Sequence, residues 1–316
     1  MEQPLVSILV PIFNVEKYIK RCVTSLMQQG YRNIEYVFVN DCTQDNSISI
    51  LVETIKEYPQ RTNIKIINHE SNKGLAASRN TGILNSKGTY ISFVDSDDYL
   101  EPNAIEIMVK KAIETSADIV IGNFQFIINS SKKIFKRPKN RYDKIEYIQA
   151  ILRWNEIDLT LWGKLIKREL FSHHNINSFD GYNFGEDFAV TSRISYFAKN
   201  IYFLNEVVYN YEYSNQNSYT KKISEKSIQS LIYIAHRITQ FYVQQKDFLL
   251  FKKHLFIGLV RMQLWIYSNT SNANNYIKEI QSIIVNNKLK SKGKYQVINF
   301  LITNQLGKVA TIINRI

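Results

Sequence analysis

Three carboxylates follow an apolar run of the buried-strand type, at Asp95, Asp97 and Asp98. Carboxylates this close repel one another, and a divalent cation is the natural compensating charge. In extended backbone, residues two apart face the same way, so Asp95 and Asp97 can reach one hard ion that phosphate oxygens also hold. The alternative is a helix start, because Asp98 precedes Pro102 and acidic residues suit a helix N-terminus. That alternative accounts for one acid but not for three.

Two other uses of clustered aspartates fail at the next positions. An EF-hand loop needs an oxygen ligand and then a glycine, where this chain has Tyr99 and Leu100. A phosphatase with an aspartyl nucleophile needs threonine or valine at the position of Tyr99. The acids therefore favour a cation bound together with a phosphorylated ligand.

A second acidic pair, Glu186 and Asp187, precedes an apolar pattern of helical period. Two acids in this position are typical of a helix N-terminus. A carboxylate there can also remove a proton from an attacking hydroxyl as a general base. Taken alone, the pair favours the helix start.

The elements that position these acids alternate between strand and helix. Short apolar runs predict strands, and segments of helical periodicity separate them, the first with Asn14 as its N-cap. The predicted strands cover 6–12, 36–39, 64–67, 90–94 and 118–126. This alternation predicts an α/β fold with a mostly parallel sheet and helices on both faces.

Polar residues stand just after four of these predicted strands. They are Asn14, Asp41, His69 and Asp95. Ligands of parallel sheets bind beyond the carboxyl ends of the strands. We therefore expect these side chains to border one site.

Beyond residue 220 the pattern changes to long helices, and the charge changes with it. Residues 1–220 contain 25 basic and 25 acidic residues, whereas residues 221–316 contain 15 and 3, which accounts for the whole net charge of +12. We predict a boundary near residue 220 and a basic helical C-terminal region over 221–316. Lysines from Lys288 to Lys294 are followed by apolar residues such as Phe300, a pattern that suits anionic lipid headgroups. A partner protein or a solvated face are the alternatives, and a nucleic-acid partner lacks any recognised reading motif.

The composition bounds the class of protein. Eleven glycines and five prolines in 316 residues exclude collagen-like and low-complexity chains. Two cysteines cannot form a disulfide framework, and they indicate a reducing compartment. The first residues do not resemble a secretory signal, and the apolar stretch 254–267 is too short and too polar to span a membrane. We expect a cytoplasmic protein, peripheral on the inner face of the plasma membrane.

Six segments in order resemble the motifs of a family 2 glycosyltransferase of the GT-A fold. They are VSILVPIFN (6–14), VNDCTQD (39–45), NKGLAASRN (72–80), DSDD (95–98), WGKL (162–165) and GED (185–187). The resemblance covers most of residues 5–220, with 1–100 as the half that binds the nucleotide sugar and 101–220 as the acceptor half. Four residues depart from the common pattern: Phe13 replaces tyrosine, Cys42 glycine, Gln44 threonine and Ser78 alanine.

The resemblance implies a nucleotide-sugar site in the first half. Asp41 would accept a hydrogen bond from the imide N–H of uracil, a donor that cytosine lacks. Pro11, Phe13 and Asn14 would line the base and ribose. Arg79 would contact a phosphate or hold the Asp41 loop. Without the motif, these residues would be interpreted as a strand end, an N-cap and turn or exposed helix positions.

The resemblance also implies a metal and its ligands. Asp95 would bridge the ribose and the metal, and Asp97 would be the firmest ligand of Mn²⁺ or Mg²⁺. Asp98 would contact the donor sugar or cap a helix. The metal would neutralise the charge that develops on the leaving diphosphate.

The acceptor side is implied by the last two motifs. Asp187 would be the base, with Glu186 as its neighbour. Trp162 would lie beside the acceptor, or in the core, and Lys164 beside the diphosphate.

The activity implied is an inverting, metal-dependent hexosyl or N-acetylhexosaminyl transfer from a UDP-sugar. The acceptor would be a hydroxyl of a lipid-linked or polysaccharide intermediate in the synthesis of cell-surface glycans. The alternative is a non-catalytic nucleotide-binding scaffold protein. The joint presence of Asp41, Asp95, Asp97 and Asp187 favours the enzyme.

Overall fold

The computed structural model describes residues 3–128, 131–135, 143–154, 159–215, 223–304 and 306–315. The chain divides into two compact units. The first unit comprises Met1–Arg141, Leu161–Gly181 and Phe197–Gln216, and the second comprises Tyr142–Thr160, Tyr182–Tyr196 and Asn217–Ile316. The boundary that we predict near residue 220 lies outside the described residues, so the division there stays a prediction.

The described part of the first unit is built on a nine-stranded sheet. Its strands are β1 (Val6–Ile12), β2 (Ile34–Asn40), β3 (Ile64–Asn68), β4 (Tyr90–Phe93), β5 (Tyr99–Leu100), β6 (Ile119–Ile128), β7 (Ser131–Phe135), β8 (Lys164–Lys167) and β9 (Ile201–Glu212). Their order is β3-β2-β1-β4-β8-β6-β9-β5, with β7 beside β6. The predicted α/β fold with a mostly parallel central sheet is confirmed, while β5, β7 and β8 pair antiparallel with their neighbours.

The central strands are apolar because the sheet is covered on both faces. All seven residues of β1 are buried, as are the first six of β2. Strands buried on both faces lose the alternation of polar and apolar residues and become continuous apolar runs. The parallel pairing of β1 with β2 and β4, and of β2 with β3, aligns the carboxyl ends of these four strands.

The helices of the described chain lie between and after these strands. They are α1 (Ile19–Met27), α2 (Ser47–Lys56), α3 (Leu75–Asn85), α4 (Ala104–Thr115), α5 (Lys144–Leu152), α6 (Glu169–His173), α7 (Glu186–Phe197), α8 (Glu225–Val243), α9 (Lys252–Asn269), α10 (Ala273–Asn286), α11 (Lys294–Thr303) and α12 (Gly307–Arg315).

Two predicted helix caps are wrong. Helix α1 begins at Ile19 rather than after Asn14, and Tyr18 is its N-cap residue. Asn14 instead adopts a left-handed conformation, with a φ of 53°, and its side-chain oxygen accepts a hydrogen bond from the Thr43 hydroxyl. The cap role considered for Asp98 fails as well, because Asn103 precedes α4 as its N-cap.

In the described residues from 223 onward the second unit is helical, as the sequence predicts. Helix α8 begins with a capping box in which the Ser224 hydroxyl accepts from the Ser227 N–H. Helix α9 buries residues around much of its circumference, which places it in the core of this unit. None of the described helices combines the length and apolar composition that a membrane crossing requires.

Candidate functional site

The carboxyl ends of the first four strands place the predicted polar residues at one edge of the sheet. Asp41 follows β2, and its N–H donates to the Ile12 carbonyl at the end of β1. His69 follows β3, and its N–H donates to the Asn40 carbonyl at the end of β2. Asp95 stands two residues beyond β4.

The Asp41 carboxylate is buried and held by three N–H donors. Its Oδ1 accepts from the Lys73 N–H and from His69 Nδ1, both at 2.8 Å, and its Oδ2 accepts from the Gly74 N–H at 2.8 Å. Gly74 has a φ of 88°, which an L side chain rarely adopts, so the glycine lets this loop turn its amides toward the acid. The arrangement presents Asp41 as a fixed hydrogen-bond acceptor.

The residues on the β1 side border the same loop. Pro11 is buried in β1, whereas the Phe13 ring is 43% exposed. Asn14 binds the loop after β2, because its N–H donates to Thr43 Oγ1 at 2.7 Å. Cys42 has a φ of 59°, which accounts for the glycine that is common at this position.

Arg79 on α3 is buried and pairs with an acid of the cluster. Its Nη2 donates to Asp95 Oδ1 at 2.9 Å. We predicted a phosphate or the Asp41 loop as the partner of Arg79, and the structure adds Asp95. One helix therefore contacts both acids, since the loop that opens α3 holds Asp41.

Asp97 and Asp98 lie in different environments. Burial and the neighbouring Asp95 carboxylate raise the pKa of Asp97 to about 6, although Asn215 donates to its Oδ2 at 2.8 Å. Burial, followed by the charges of Asp97 and Asp95, raises the pKa of Asp98 well above the ordinary value. Asp98 accepts from the Tyr209 hydroxyl at 2.7 Å and from the Glu212 N–H at 2.7 Å, so it joins the acidic turn to β9. Its contact with a donor sugar stays a prediction.

Tyr209 and Asn215 are site residues that sequence reasoning missed. The Tyr209 hydroxyl donates to Asp98 and accepts from the Asp95 N–H at 3.1 Å, which fixes the turn between them. Both residues lie more than a hundred positions beyond the acids, and no motif marks them. The sequence signal for Tyr209 is the group of tyrosines around this position, and nothing in their spacing links them to the acids.

The residues predicted on the acceptor side are buried in the first unit. Trp162 stacks on Tyr209 and Tyr211, with ring centroids 4.6 and 5.5 Å apart. Lys164 lies in β8 and is also buried. Trp162 thus packs on the same tyrosine that holds the acidic turn, and contacts of these two residues with an acceptor or a diphosphate stay predictions.

Glu186 and Asp187 belong to the second unit. They form the first turn of α7, preceded by Gly185 with a φ of 90°. Glu186 is buried. The helix start that the sequence predicts is thereby confirmed, and the role of Asp187 as a base stays a prediction.

Across the residues that the structure describes, no three His, Cys, Asp or Glu side chains gather as a complete metal site. Asp95 and Asp97 nevertheless offer hard oxygen donors that suit Mn²⁺ or Mg²⁺. Burial, followed by the charge of Asp95, raises the pKa of Asp97, so a cation placed beside this carboxylate would stabilise its ionised form. These two residues therefore fit a cation whose remaining ligands come from a diphosphate or water.

The sequence was compared with known proteins. The model of the family described as glycosyl transferase family 2 matches residues 7–174. Glycosyltransferase GlyA of Streptococcus pneumoniae is 30% identical over 282 residues, which are 84% of this chain and 39% of GlyA. EpsJ of Bacillus subtilis, named an uncharacterized glycosyltransferase, is 33% identical over 225 residues, 69% of this chain and 63% of EpsJ. The chain therefore spans less than two thirds of either relative.

A solved structure resembles the whole chain. Residues 1–349 of TarS from S. aureus, crystallised in complex with UDP-GlcNAc, superpose with a TM-score of 0.77 at 18% identity. The match covers 98% of this chain and 90% of that one. At this identity the likeness shows a shared fold.

The opposite pKa shifts of two acids predict opposite effects on stability. Asp97, with its raised pKa, destabilises the metal-free fold increasingly as the pH rises from about 4 to about 6 and constantly above it. We expect Asp97→Asn to raise the Tm at pH 7.5, by ~2–4 °C for each kcal/mol that the substitution adds to the free energy of unfolding. Near pH 4 the same substitution should change the Tm little. The measurement is thermal unfolding in a chelator.

Asp45 supplies the matched control. Burial alone would raise the pKa of Asp45, but hydrogen bonds from the Ser47 hydroxyl and the Glu16 N–H lower this pKa below its ordinary value. Its charge therefore stabilises the fold above pH 4, and Asp45→Asn should lower the Tm at pH 7.5 and lose this effect as the pH falls. A lower Tm for Asp97→Asn at pH 7.5 would contradict the excess of negative charge at the acidic turn.

Proposed function

The chain belongs to glycosyl transferase family 2 and has a GT-A-type fold, and from this we propose that it is an inverting, metal-dependent sugar transferase with a UDP-sugar donor. The observation that carries the proposal is the sheet edge where α3 and the loop before it hold both a fixed acceptor, Asp41, and Asp95, the acid two residues before Asp97. A site for a nucleoside diphosphate requires a group that recognises the base and a cation that binds the diphosphate. In this proposal Asp41 recognises the base, and Asp95 and Asp97 hold the cation.

Uracil is the base that the Asp41 environment favours. The carboxylate accepts from every partner, so the next group that binds it must be a donor. Uracil offers an imide N–H, whereas cytosine offers a lone pair at the same ring position. The complex of TarS with UDP-GlcNAc supports the same donor class.

Asp95 and Asp97 would hold Mn²⁺ or Mg²⁺. A bound ion would act as a Lewis acid on the diphosphate, which is the leaving group. The chain contributes the positioning: Arg79 holds Asp95, Asn215 holds Asp97, and Tyr209 fixes the backbone between them. Asp98 completes the turn from within the protein.

Asp187 is the base in this proposal. Its carboxylate would remove the proton of the acceptor hydroxyl while the oxygen attacks the anomeric carbon, a contribution of ~10²–10⁴-fold. Attack opposite the diphosphate inverts the anomeric centre. Trp162 would lie on the acceptor side, and Lys164 would compensate charge near the diphosphate.

The acceptor would be a lipid-linked or polysaccharide hydroxyl, reached from an anionic membrane surface. In the second unit, Val297 and Phe300 are 49% and 61% exposed on α11, and Lys290, Lys292 and Lys294 are exposed just before and at its start. Exposed apolar side chains beside lysines suit a lipid headgroup region.

Removal of the Asp97 charge tests the metal site. We expect Asp97→Asn to abolish the Mn²⁺-dependent part of UDP binding in calorimetry and to slow hydrolysis of the donor at least ~100-fold, since a main ligand is lost. The nucleotide sugar is chosen by screening a panel for Mn²⁺-dependent hydrolysis. Because the same substitution should raise the Tm, unfolding cannot explain the loss.

Normal Mn²⁺ dependence of Asp97→Asn would refute the ligand assignment. UDP binding by the wild type without any turnover would favour the scaffold alternative.

Asp187→Asn separates the base from the donor site. We expect the Kd of UDP with Mn²⁺ to stay within about twofold, while transfer falls ~10²–10⁴-fold because no carboxylate accepts the proton. Glu186→Gln, next to it on α7, is the matched control for local damage. Unchanged transfer by Asp187→Asn would assign the base to another residue.

The membrane contact is tested by Val297→Ser combined with Phe300→Ser. We expect the double variant to lose at least ~10-fold in affinity for vesicles containing phosphatidylglycerol, because exposed apolar area is removed. Leu249→Ser is the control, since Leu249 is 81% exposed elsewhere in the second unit. Equal sedimentation of the double variant and the wild type with these vesicles would refute the contact.

A further inference from the structure

We propose that His69 is a positioning residue that sets the preference for uracil by fixing which oxygen of Asp41 faces the base. The inference rests on the proposed function. His69 belongs to none of the six motif segments, and the structure joins it to Asp41 on one side and Thr81 on the other.

The pairing follows from the register of the sheet. Asn40 of β2 lies opposite Asn68 of β3, so the next residues of the two strands, Asp41 and His69, are also neighbours. Both side chains are buried. Thr81 approaches from α3, where its hydroxyl lies 2.9 Å from His69 Nε2.

The chemistry of the partners fixes the direction of the His69–Asp41 hydrogen bond, and the neutral ring that we propose for His69 then fixes the direction of the bond with Thr81. An ionised carboxylate can only accept, so His69 Nδ1 must carry the proton that faces Asp41. In the neutral ring Nε2 is then an acceptor, and the Thr81 hydroxyl donates to it. The hydrogen bonds thus run from Thr81 to His69 and from His69 to Asp41, with every donor matched to an acceptor.

With the hydrogen bond from His69, the two oxygens of Asp41 accept different numbers of hydrogen bonds. Oδ1 accepts two hydrogen bonds, from the Lys73 N–H and His69, whereas Oδ2 accepts one, from the Gly74 N–H. A carboxylate oxygen has two lone pairs, so the remaining capacity lies on Oδ2. A base that presents an N–H to Oδ2 binds, and a base that presents a lone pair there is repelled. Without His69, Oδ1 regains a free lone pair and the carboxylate can rotate, which weakens the discrimination.

The test compares the affinities of UDP and CDP, each with Mn²⁺, by calorimetry. We expect the wild type to prefer UDP. His69→Leu should weaken UDP binding ~10-fold, the usual effect of one hydrogen bond to a charged group, and change CDP binding little, so that the ratio shrinks ~10-fold. His69→Asn should retain most of the ratio, because its amide can donate from the position of Nδ1. Thr81→Val should lower the ratio severalfold.

Thr54→Val is the matched control for Thr81→Val. Thr54 is a buried helix threonine whose hydroxyl donates to the Ile50 carbonyl, away from the site. We expect it to leave the ratio of UDP to CDP affinity unchanged. A similar change of the ratio in both variants would overturn the role of Thr81.

A second measurement does not depend on nucleotide binding. Long-range ¹H–¹⁵N spectra of the wild type should show one neutral histidine protonated at Nδ1, and this signal should be absent from His69→Asn. Protonation of His69 at Nε2 alone would overturn the proposal.

The outcomes separate this inference from the function on which it rests. If the wild type binds neither nucleotide, the proposed function fails and the role of His69 fails with it. If the wild type prefers UDP but His69→Leu keeps the same ratio, or loses both nucleotides equally, only the role of His69 is refuted.

Discussion

The site depends on how four acids are held near one another at the edge of a single sheet. Parallel strands end together, so β2 and β4 bring Asp41 and Asp95 to this edge. Helix α3 and the loop before it satisfy both, through the Lys73 and Gly74 N–H groups on Asp41 and through Arg79 on Asp95. One helix and the loop before it stabilise the two charges, so a shift of α3 would disturb both acids, and with them the two binding roles that we propose for them.

The three acids of the turn after β4 have different hydrogen-bond partners, and the roles that we propose for them follow from this difference. Asp95 has a cation, Arg79, and Asp98 is enclosed by Tyr209 and the Glu212 N–H. Among the described residues, the Asp97 carboxylate accepts from the neutral Asn215 amide and from its own backbone N–H, and burial, followed by the charge of Asp95, raises its pKa to about 6. A carboxylate with a neutral partner and acidic neighbours gains most from an added cation. This difference supports our proposal that Asp97 is the principal ligand.

Much of the architecture could be predicted, because burial makes β1, β2 and β4 mostly apolar, and because polar residues mark their carboxyl ends. The motifs also indicated Asp41 and the acidic turn. The partners could not be predicted, since Tyr209 reaches Asp98 across 111 positions and only the pairing of β5 with β9 brings them together. Asn14 was misassigned as a helix cap because a left-handed residue and an N-cap favour the same amino acid.

The proposed base is placed by a different principle from the donor acids. Asp187 lies in the first turn of α7, where unpaired backbone N–H groups and the helix dipole favour negative charge. A general base must be ionised before it accepts a proton, and a helix start favours the ionised form of a carboxylate. The interpretation as a helix start and the role as a base are therefore compatible, because the first supplies the electrostatic condition that the second requires.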